Sequence, residues 1–390
     1  MKNLPMQIEI LSRIDHLPAA QWNALVQDAN PFLQHGFLAA LEHHGCVGET
    51  FGWLPRHIAV FEGAELVAAM PLYEKHNSYG EFVFDQAWAN AYQQQGLRYF
   101  PKLVSAIPYT PASGQRCLVQ AGREAELYPL LLSAVTQVAA ALQASSFHCL
   151  FAVSEQQEWL QQQGLLTRHD CQFHWYNQDY TCFDDFLATL TAKKRKNLKQ
   201  ERRKVQDAGV QLRLLDGHSA SAADWEQFAF FYRHTFESKW GVPTLNVGFF
   251  QAMAQVLGAQ VVLVMADNAA GECIAGSLMF RSASRLYGRH WGCTEYVDSL
   301  HFEACYYQGI EYCIRHGLQV FEPGAQGEHK VPRGFVPTLT RSSHWLRDDA
   351  LYAAIARHTA YERDAVAQYM AQVQAHSPYR PECLPLARLA

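Results

Sequence analysis

Pro31-Phe-Leu-Gln-His-Gly-Phe-Leu-Ala-Ala40 recurs further along the chain as Pro243-Thr-Leu-Asn-Val-Gly-Phe-Phe-Gln-Ala252. The two stretches agree at Pro31/Pro243, Leu33/Leu245, Gly36/Gly248, Phe37/Phe249 and Ala40/Ala252. A strand-like pair follows each in the same order. Leu66-Val-Ala-Ala-Met-Pro-Leu-Tyr73 precedes Tyr79-Gly80, and Cys273-Ile-Ala-Gly-Ser-Leu-Met-Phe280 precedes Tyr287-Gly288. Three features in one register read as the duplication of a single unit rather than as two unrelated halves sharing a chance motif.

Working outward, helical and strand-like patterns mix in both halves. In the first half, strands are expected at 7–12, 57–61, 66–73, 81–84 and 146–153, and helices at 18–28, 124–142 and 154–163. In the second, helices are expected at 221–237, 247–257, 302–316 and 348–374, and strands at 260–266, 273–282, 285–291 and 318–322. The fold class is therefore α/β (α+β), mixed sheets flanked by helices and used twice. The expected boundaries are 1–185 for the first domain, 186–376 for the second with a basic linker helix at 190–206, and 377–390 for an irregular tail with three prolines.

The 390 residues suit two domains. With 49% hydrophobic and 13% aromatic residues against 18% charged, the chain can fill substantial cores and is unlike a disordered one. Residues 1–14 alternate charged and apolar positions, unlike a secretory signal. The apolar stretch 127–144 is interrupted by Pro129, Ser133, Thr136, Gln137 and Gln143 and reads as a buried helix, not a membrane span. Ten cysteines without a CxxC fit reduced, mostly buried thiols. A soluble cytoplasmic protein is the expectation. No HExxH or paired Cys/His spacing appears, nor a Walker loop or dinucleotide fingerprint, so neither metal nor resident cofactor is expected.

At this point the sequence resembles a known family. The runs His35-Gly-Phe-Leu-Ala-Ala-Leu-Glu42, Pro71-Leu-Tyr-Glu-Lys-His-Asn-Ser-Tyr-Gly-Glu-Phe-Val-Phe-Asp85, Lys239-Trp-Gly-Val-Pro243, Tyr287-Gly-Arg-His-Trp-Gly-Cys293, Leu300-His-Phe-Glu-Ala-Cys-Tyr-Tyr307 and Gly324-Ala-Gln-Gly-Glu-His-Lys330 carry the likeness. They resemble the FemAB-like predicted N-acyltransferases, or peptidoglycan biosynthesis/recognition proteins, from about Asn23 to Arg380. The resemblance implies tandem domains of the Gcn5-related N-acetyltransferase (GNAT) type and acyl or aminoacyl transfer to an amine. Pro323 stands where the family pattern usually has Ala.

Acyl transfer to an amine needs a base, donors for the developing oxyanion and positioning of two substrates. The loop 324–330 offers these types: Glu328 or His329 as base, with Lys330 and Gln326 as electrostatic stabilisers. It follows the expected strand at 318–322, at whose carboxyl end ligand loops tend to lie. In a regular strand Arg289 and Trp291 would share a face suited to a planar or anionic substrate. Glu303 and Glu322 are candidate site carboxylates. In the first half Lys75, Tyr79, Glu81 and Asp85 bracket a Tyr-Gly turn and are candidate acceptor contacts. His301 and Cys305, four apart on a mostly apolar helix, read as packing rather than as a thiol nucleophile.

The run 193–204 carries eight basic residues and one acidic, a net plus 7, against 24 basic and 36 acidic elsewhere, minus 12. Its candidate phosphate ligands are Lys193, Lys194, Arg195, Lys199, Arg202 and Arg203, on a helix with a thin apolar seam. The turn that would receive a coenzyme A pyrophosphate, 294–303, lacks glycine and carries Glu295, Asp298 and Glu303. That acidity argues against ordinary acyl-CoA use and agrees with what the resemblance implies, an aminoacyl-tRNA donor. The expected partners are a small-molecule or peptide amine acceptor, such as a cell-wall precursor, and tRNA or a nucleotide-linked precursor. The alternatives are a non-catalytic recognition module and an acyl-CoA-dependent N-acetyltransferase.

Overall fold

The structure is a computed structural model describing residues 5–239, 241–325 and 327–385. Among the described residues, its two compact units comprise those within 5–171 and 339–368, and those within 172–338 and 369–385. The expected contiguous segments 1–185 and 186–376 differ from this, because the chain returns to the first unit after completing most of the second. The divisions fall inside the strands Leu166–Tyr176 and Val336–Leu346.

In the first unit, Met6–Leu11, His57–Glu62, Glu65–Met70 and Leu118–Val119 form an antiparallel four-stranded sheet in that order. The helix Glu124–Ala141 covers it, burying Leu127, Leu131, Ala134, Val135 and Val138 at helical spacing. A second set of strands runs from residues 342–346 through Ser146–Leu150, Lys102–Ser105 and Tyr73–Lys75 to Trp53–Pro55. The expected strand 66–73 thus splits between two sheets at Pro71, which has no backbone N–H to give to a ladder. The expected strand 81–84 is irregular, with Phe82 at φ +59°.

In the second unit, Gln211–Leu215, Val261–Asp267, Cys273–Arg281 and Arg285–Cys293 form an antiparallel run. The last of these pairs in parallel with Val320–Glu322, after a crossover through the helical segment from Leu300 to His316. The helices Ala222–Glu237 and Val247–Leu257 bury Phe228, Phe231, Tyr232, Phe249 and Phe250. A side chain at Gly292 would meet the backbone of Phe231 at 2.3 Å, so this glycine lets helix and strand approach.

The repeated motif opens equivalent elements. Asn246 caps the helix Val247–Leu257 by accepting from the backbone of Phe249, whereas its counterpart Gln34 makes no side-chain cap and Asn30, one residue ahead of the motif, accepts from Phe32 to open the 3-10 turn Pro31–Leu33. The helices His35–His43 and Val247–Leu257 follow, and each leads to an antiparallel hairpin. The correspondence ends there. Tyr79-Gly80 lies in a turn, with Gly80 at φ +80°, whereas Tyr287-Gly288 lies within a strand.

The basic helix spans Ala192–Asp207, close to the expected 190–206. The expected irregular tail is anchored among its described residues: Tyr379 is buried and donates its hydroxyl to the carbonyl of Gly334 at 2.6 Å.

Candidate functional site

The strongest candidate in the second unit is built where the strand Val320–Glu322 gives way to the loop after Pro323. Gly324 at φ +103° and Gly327 at φ +115° turn the backbone in a conformation open to glycine. A 3-10 turn, Glu328–Arg333, then carries the three predicted catalytic residues. They diverge. Lys330 is only 2% exposed, and its Nζ donates to the carbonyl of Gly324 at 2.6 Å. No carboxylate among the described residues lies within ion-pair distance, and burial pushes its pKa down to about 7. His329 is exposed, and its Nε2 lies 2.8 Å from the hydroxyl of Tyr306. Desolvation, Lys330 and Arg333 together lower its pKa. Glu328 is exposed and accepts from the hydroxyl of Tyr369 at 2.7 Å. Gln326 lies outside the described residues.

The opposite wall is a helical segment interrupted by a π-helical turn, Glu303–Tyr307. Such turns insert a residue and are frequent at functional sites. His301 packs edge-on against Tyr306 and Trp291, with ring centroids 5.4 and 5.3 Å apart, and its centroid is 6.0 Å from that of His329. Burial and the neighbouring cations push His301 down to about 4, so it is neutral at pH 7. Arg333 stacks over Phe302 at 3.3 Å and holds Glu201 with two hydrogen bonds at 2.7 and 3.1 Å. Burial pushes the Cys305 thiol up to about 12, in keeping with a packing role. The group therefore joins the predicted Trp291, His329 and Lys330 to His301, Tyr306 and Arg333, which the sequence reading did not place there.

Arg289 does not share a face with Trp291. Leu278 pairs with His290 and Met279 with Gly288, so Arg289 is the extra residue of a β-bulge. The bulge breaks the alternation on which the expectation rested. Arg289 feels Tyr232 and Glu322, and His290 packs on Tyr232 at 5.0 Å, whereas Trp291 meets His301 on the other face. Burial lowers Arg289 to about 10.

The remaining carboxylates have structural partners. Glu322 pairs with Arg285 at 2.8 Å. Glu303 takes two hydrogen bonds from Arg202, both at 3.0 Å, and Arg202 also donates to Glu311 at 2.6 Å. These three ions pin the basic helix, so Arg202 is not an outward phosphate ligand. Lys204 pairs with Asp298 at 2.8 Å, and the acidic turn is partly neutralised by the helix it faces. Arg195, Lys199 and Arg203, with Lys196 and Lys204, lie along one open face of the helix. Lys193 is exposed and Lys194 half-buried at its start, and Lys199 also approaches the exposed Asp184 at 3.2 Å.

In the first unit the predicted Lys75, Glu81 and Asp85 do assemble, and they are buried. Their organiser is Lys102, directly opposite Lys75 in register. Lys102 donates to Glu81 at 2.8 Å, to Ser78 at 3.1 Å and to Asp85. Two like charges facing across a strand pair repel, and the two acids offset them. Lys75 Nζ lies 3.8 Å from the centroid of the Trp53 ring and donates to the carbonyl of Tyr79 at 3.1 Å; the Tyr79 ring is exposed. Burial drives Lys75 down and Glu81 up, each to about 7. Lys102 was missed, although a lysine opening the run Lys102-Leu-Val-Ser-Ala-Ile107 signals a buried cation.

Among the described residues no group of three or more His, Cys, Asp or Glu is placed to hold a metal ion, and no helix is long and apolar enough to cross a membrane. A mixed α/β fold of two units, with a buried lysine beside a cluster of imidazoles, is the class defined here. The chain belongs to the FemAB-like family of peptidoglycan biosynthesis/recognition, whose model matches residues 13–381. No curated protein matches it. A crystal structure of FemX is similar over 89% of this chain and 100% of that one, at 12% identity and a TM-score of 0.54. The C-terminal domain of a putative lysylphosphatidylglycerol synthetase from Agrobacterium fabrum is similar over 88% and 95%, at 10% identity and a TM-score of 0.51. A conserved protein of unknown function from Bacteroides thetaiotaomicron is similar over 87% and 99%, at 9% identity and a TM-score of 0.51. At these identities the likeness is one of fold, and it agrees with the class expected from the sequence.

Proposed function

We propose that the protein transfers an acyl or aminoacyl group onto the amine of a cell-wall precursor, at the cluster around Lys330 in the second unit. The observation that supports this reading is a buried lysine without a carboxylate partner among the described residues, held by a backbone carbonyl beside His301, Tyr306 and His329. In water a lysine is fully protonated at pH 7, whereas here both forms are accessible. The protonated form stabilises the oxyanion that develops when the amine attacks the acyl carbon. His329, kept neutral and tied to Tyr306, takes the proton the amine loses and hands it to the donor's ester oxygen, which departs as a hydroxyl as the carbonyl re-forms. Trp291 and the neutral His301 supply flat apolar walls that hold the substrates in line. Glu328, tied to Tyr369, is better suited to the rim than to the proton transfer.

For the donor, the row Arg195, Lys199 and Arg203 supports a phosphodiester backbone such as that of a charged tRNA. The acidic turn at 294–303 offers little to a coenzyme A pyrophosphate. The test is to incubate the full chain in parallel with charged tRNA and with acyl-CoA, each with a nucleotide-linked cell-wall precursor, and to follow acyl transfer. Transfer from tRNA that is abolished in Lys330→Met supports the reading. Transfer from acyl-CoA alone overturns the donor, and unchanged transfer in Lys330→Met overturns the site.

A further inference from the structure

The run 193–204 holds eight basic residues and a single acid, Glu201, to which neither the phosphate row nor the transfer chemistry assigns a role. On the helix Ala192–Asp207 it stands three residues after Leu198 and four before Val205, the two buried residues of that helix. It therefore shares their inner face, while Arg195, Lys199 and Arg203 follow the open one. There Glu201 meets the two elements that build the candidate site. Nε and Nη2 of Arg333, from the 3-10 turn that carries His329 and Lys330, donate to its two oxygens at 3.1 and 2.7 Å. The hydroxyl of the buried Tyr307, from the π-helical turn, donates to one of the same oxygens.

Arg333 passes the contact on. Its third nitrogen, Nη1, donates to the carbonyl of His329 at 2.5 Å, and its Cζ lies 3.3 Å from the centroid of the Phe302 ring. The turn needs such an anchor. Gly327 before it and Gly334 after it, at φ +115° and +92°, place a glycine joint at each end, so side-chain ties set the orientation of the segment between them. A simple ion pair would satisfy the charge of Glu201. Instead a planar guanidinium, 7% exposed, is aligned so that one group grips the helix in two places and the peptide of the proposed base in a third.

We propose that Glu201 is a positioning residue: through Arg333 the basic helix sets the backbone at His329, so the element that carries the phosphate row also aligns the base. The proposal rests on the reading of His329 given above and adds a physical connection from the donor's helix to the proton transfer. The test compares the full chain with Glu201→Gln, Arg333→Lys and the double variant, each checked by thermal melting. A lysine keeps the charge of Arg333 but cannot hold a carboxylate at two points and a carbonyl at once. Hydrogen–deuterium exchange, which needs no substrate, quickens about tenfold or more over residues 328–334 in each variant, while the strand Cys273–Arg281 keeps its protection. In transfer assays each single variant lowers kcat about tenfold, with KM for charged tRNA and its salt dependence unchanged. The double variant is no slower than the worse single one, because both changes cut the same tie. Unchanged exchange in the turn, exchange that quickens equally in Cys273–Arg281, an unchanged kcat, or a double variant whose loss is the product of the two single losses overturns the proposal. Absence of transfer by the wild type overturns the reading of the site instead, and exchange then decides by itself whether Glu201 sets the turn.

Discussion

The hydroxyl of Tyr306 stands 2.8 Å from Nε2 of His329, fixing which ring nitrogen of an exposed histidine faces the cluster. If His329 takes the proton, Tyr306→Phe lowers kcat about ten- to a hundredfold with KM little changed, because orientation rather than substrate contact is lost. The loss in stability is about 1 kcal/mol. Steady-state kinetics on the two proteins check this; an unchanged kcat removes His329 from the reaction.

The pH profile follows from two depressed pKa values. His329 accepts a proton only above its lowered value, and Lys330 stabilises an anion only while protonated, below about 7. Transfer therefore peaks just below neutrality and falls as pH rises through about 7. Lys330→Arg keeps its charge, so the alkaline limb disappears from the profile even if the peak rate drops. Persistence of that limb in the arginine variant assigns it to another group.

The basic helix offers a contrast between two kinds of arginine. Arg202→Gln leaves Glu303 without its ion-pair partner and lowers stability by about 3 kcal/mol, read by chemical denaturation. Replacing Arg195, Lys199 and Arg203 together by glutamine leaves stability within about 1 kcal/mol, since Lys199 and Arg203 are exposed and Arg195 only half-buried. It weakens tRNA binding and reduces the slope of log affinity against log salt by about 2 to 3. An unchanged slope dissociates the helix from nucleic acid.

The buried cluster in the first unit makes a prediction about stability. Glu81 is raised to about 7, so the folded protein binds a proton there that the unfolded chain releases above about 4.5. Stability from this group is complete below about 4.5 and is lost as pH climbs to about 7. Glu81→Gln removes that dependence. The wild type therefore loses ground against the variant by roughly 2 to 3 kcal/mol between those limits, measured by urea unfolding at several pH values.

What was legible in the sequence was whatever repeats locally. The stripe Leu127, Leu131, Val135 and Val138 gave its helix nearly to the residue, and the lysine-rich face marked the helix at 192–207. The loop with Lys330 stood out because glycines and titratable groups crowd together there. The bulge at Arg289 was not legible, because one unpaired residue leaves no compositional trace while reversing the faces of its neighbours. Nor was Lys102, whose role comes from lying opposite Lys75 across strands far apart in the chain. The helix with His301 and Tyr306 read as packing, since an inserted residue in a helical turn looks like ordinary apolar sequence.

The divisions at 171/172 and 338/339 bear on how the molecule comes into being. The strand Ser146–Leu150 finds its antiparallel partner only in residues 342–346. A ribosome adding on the order of 5 to 20 residues per second thus exposes that edge for roughly ten seconds or longer before its cover is made. During that interval the nascent first unit is a client for chaperones, and a break after residue 171 yields a fragment with an open sheet rather than a separable domain.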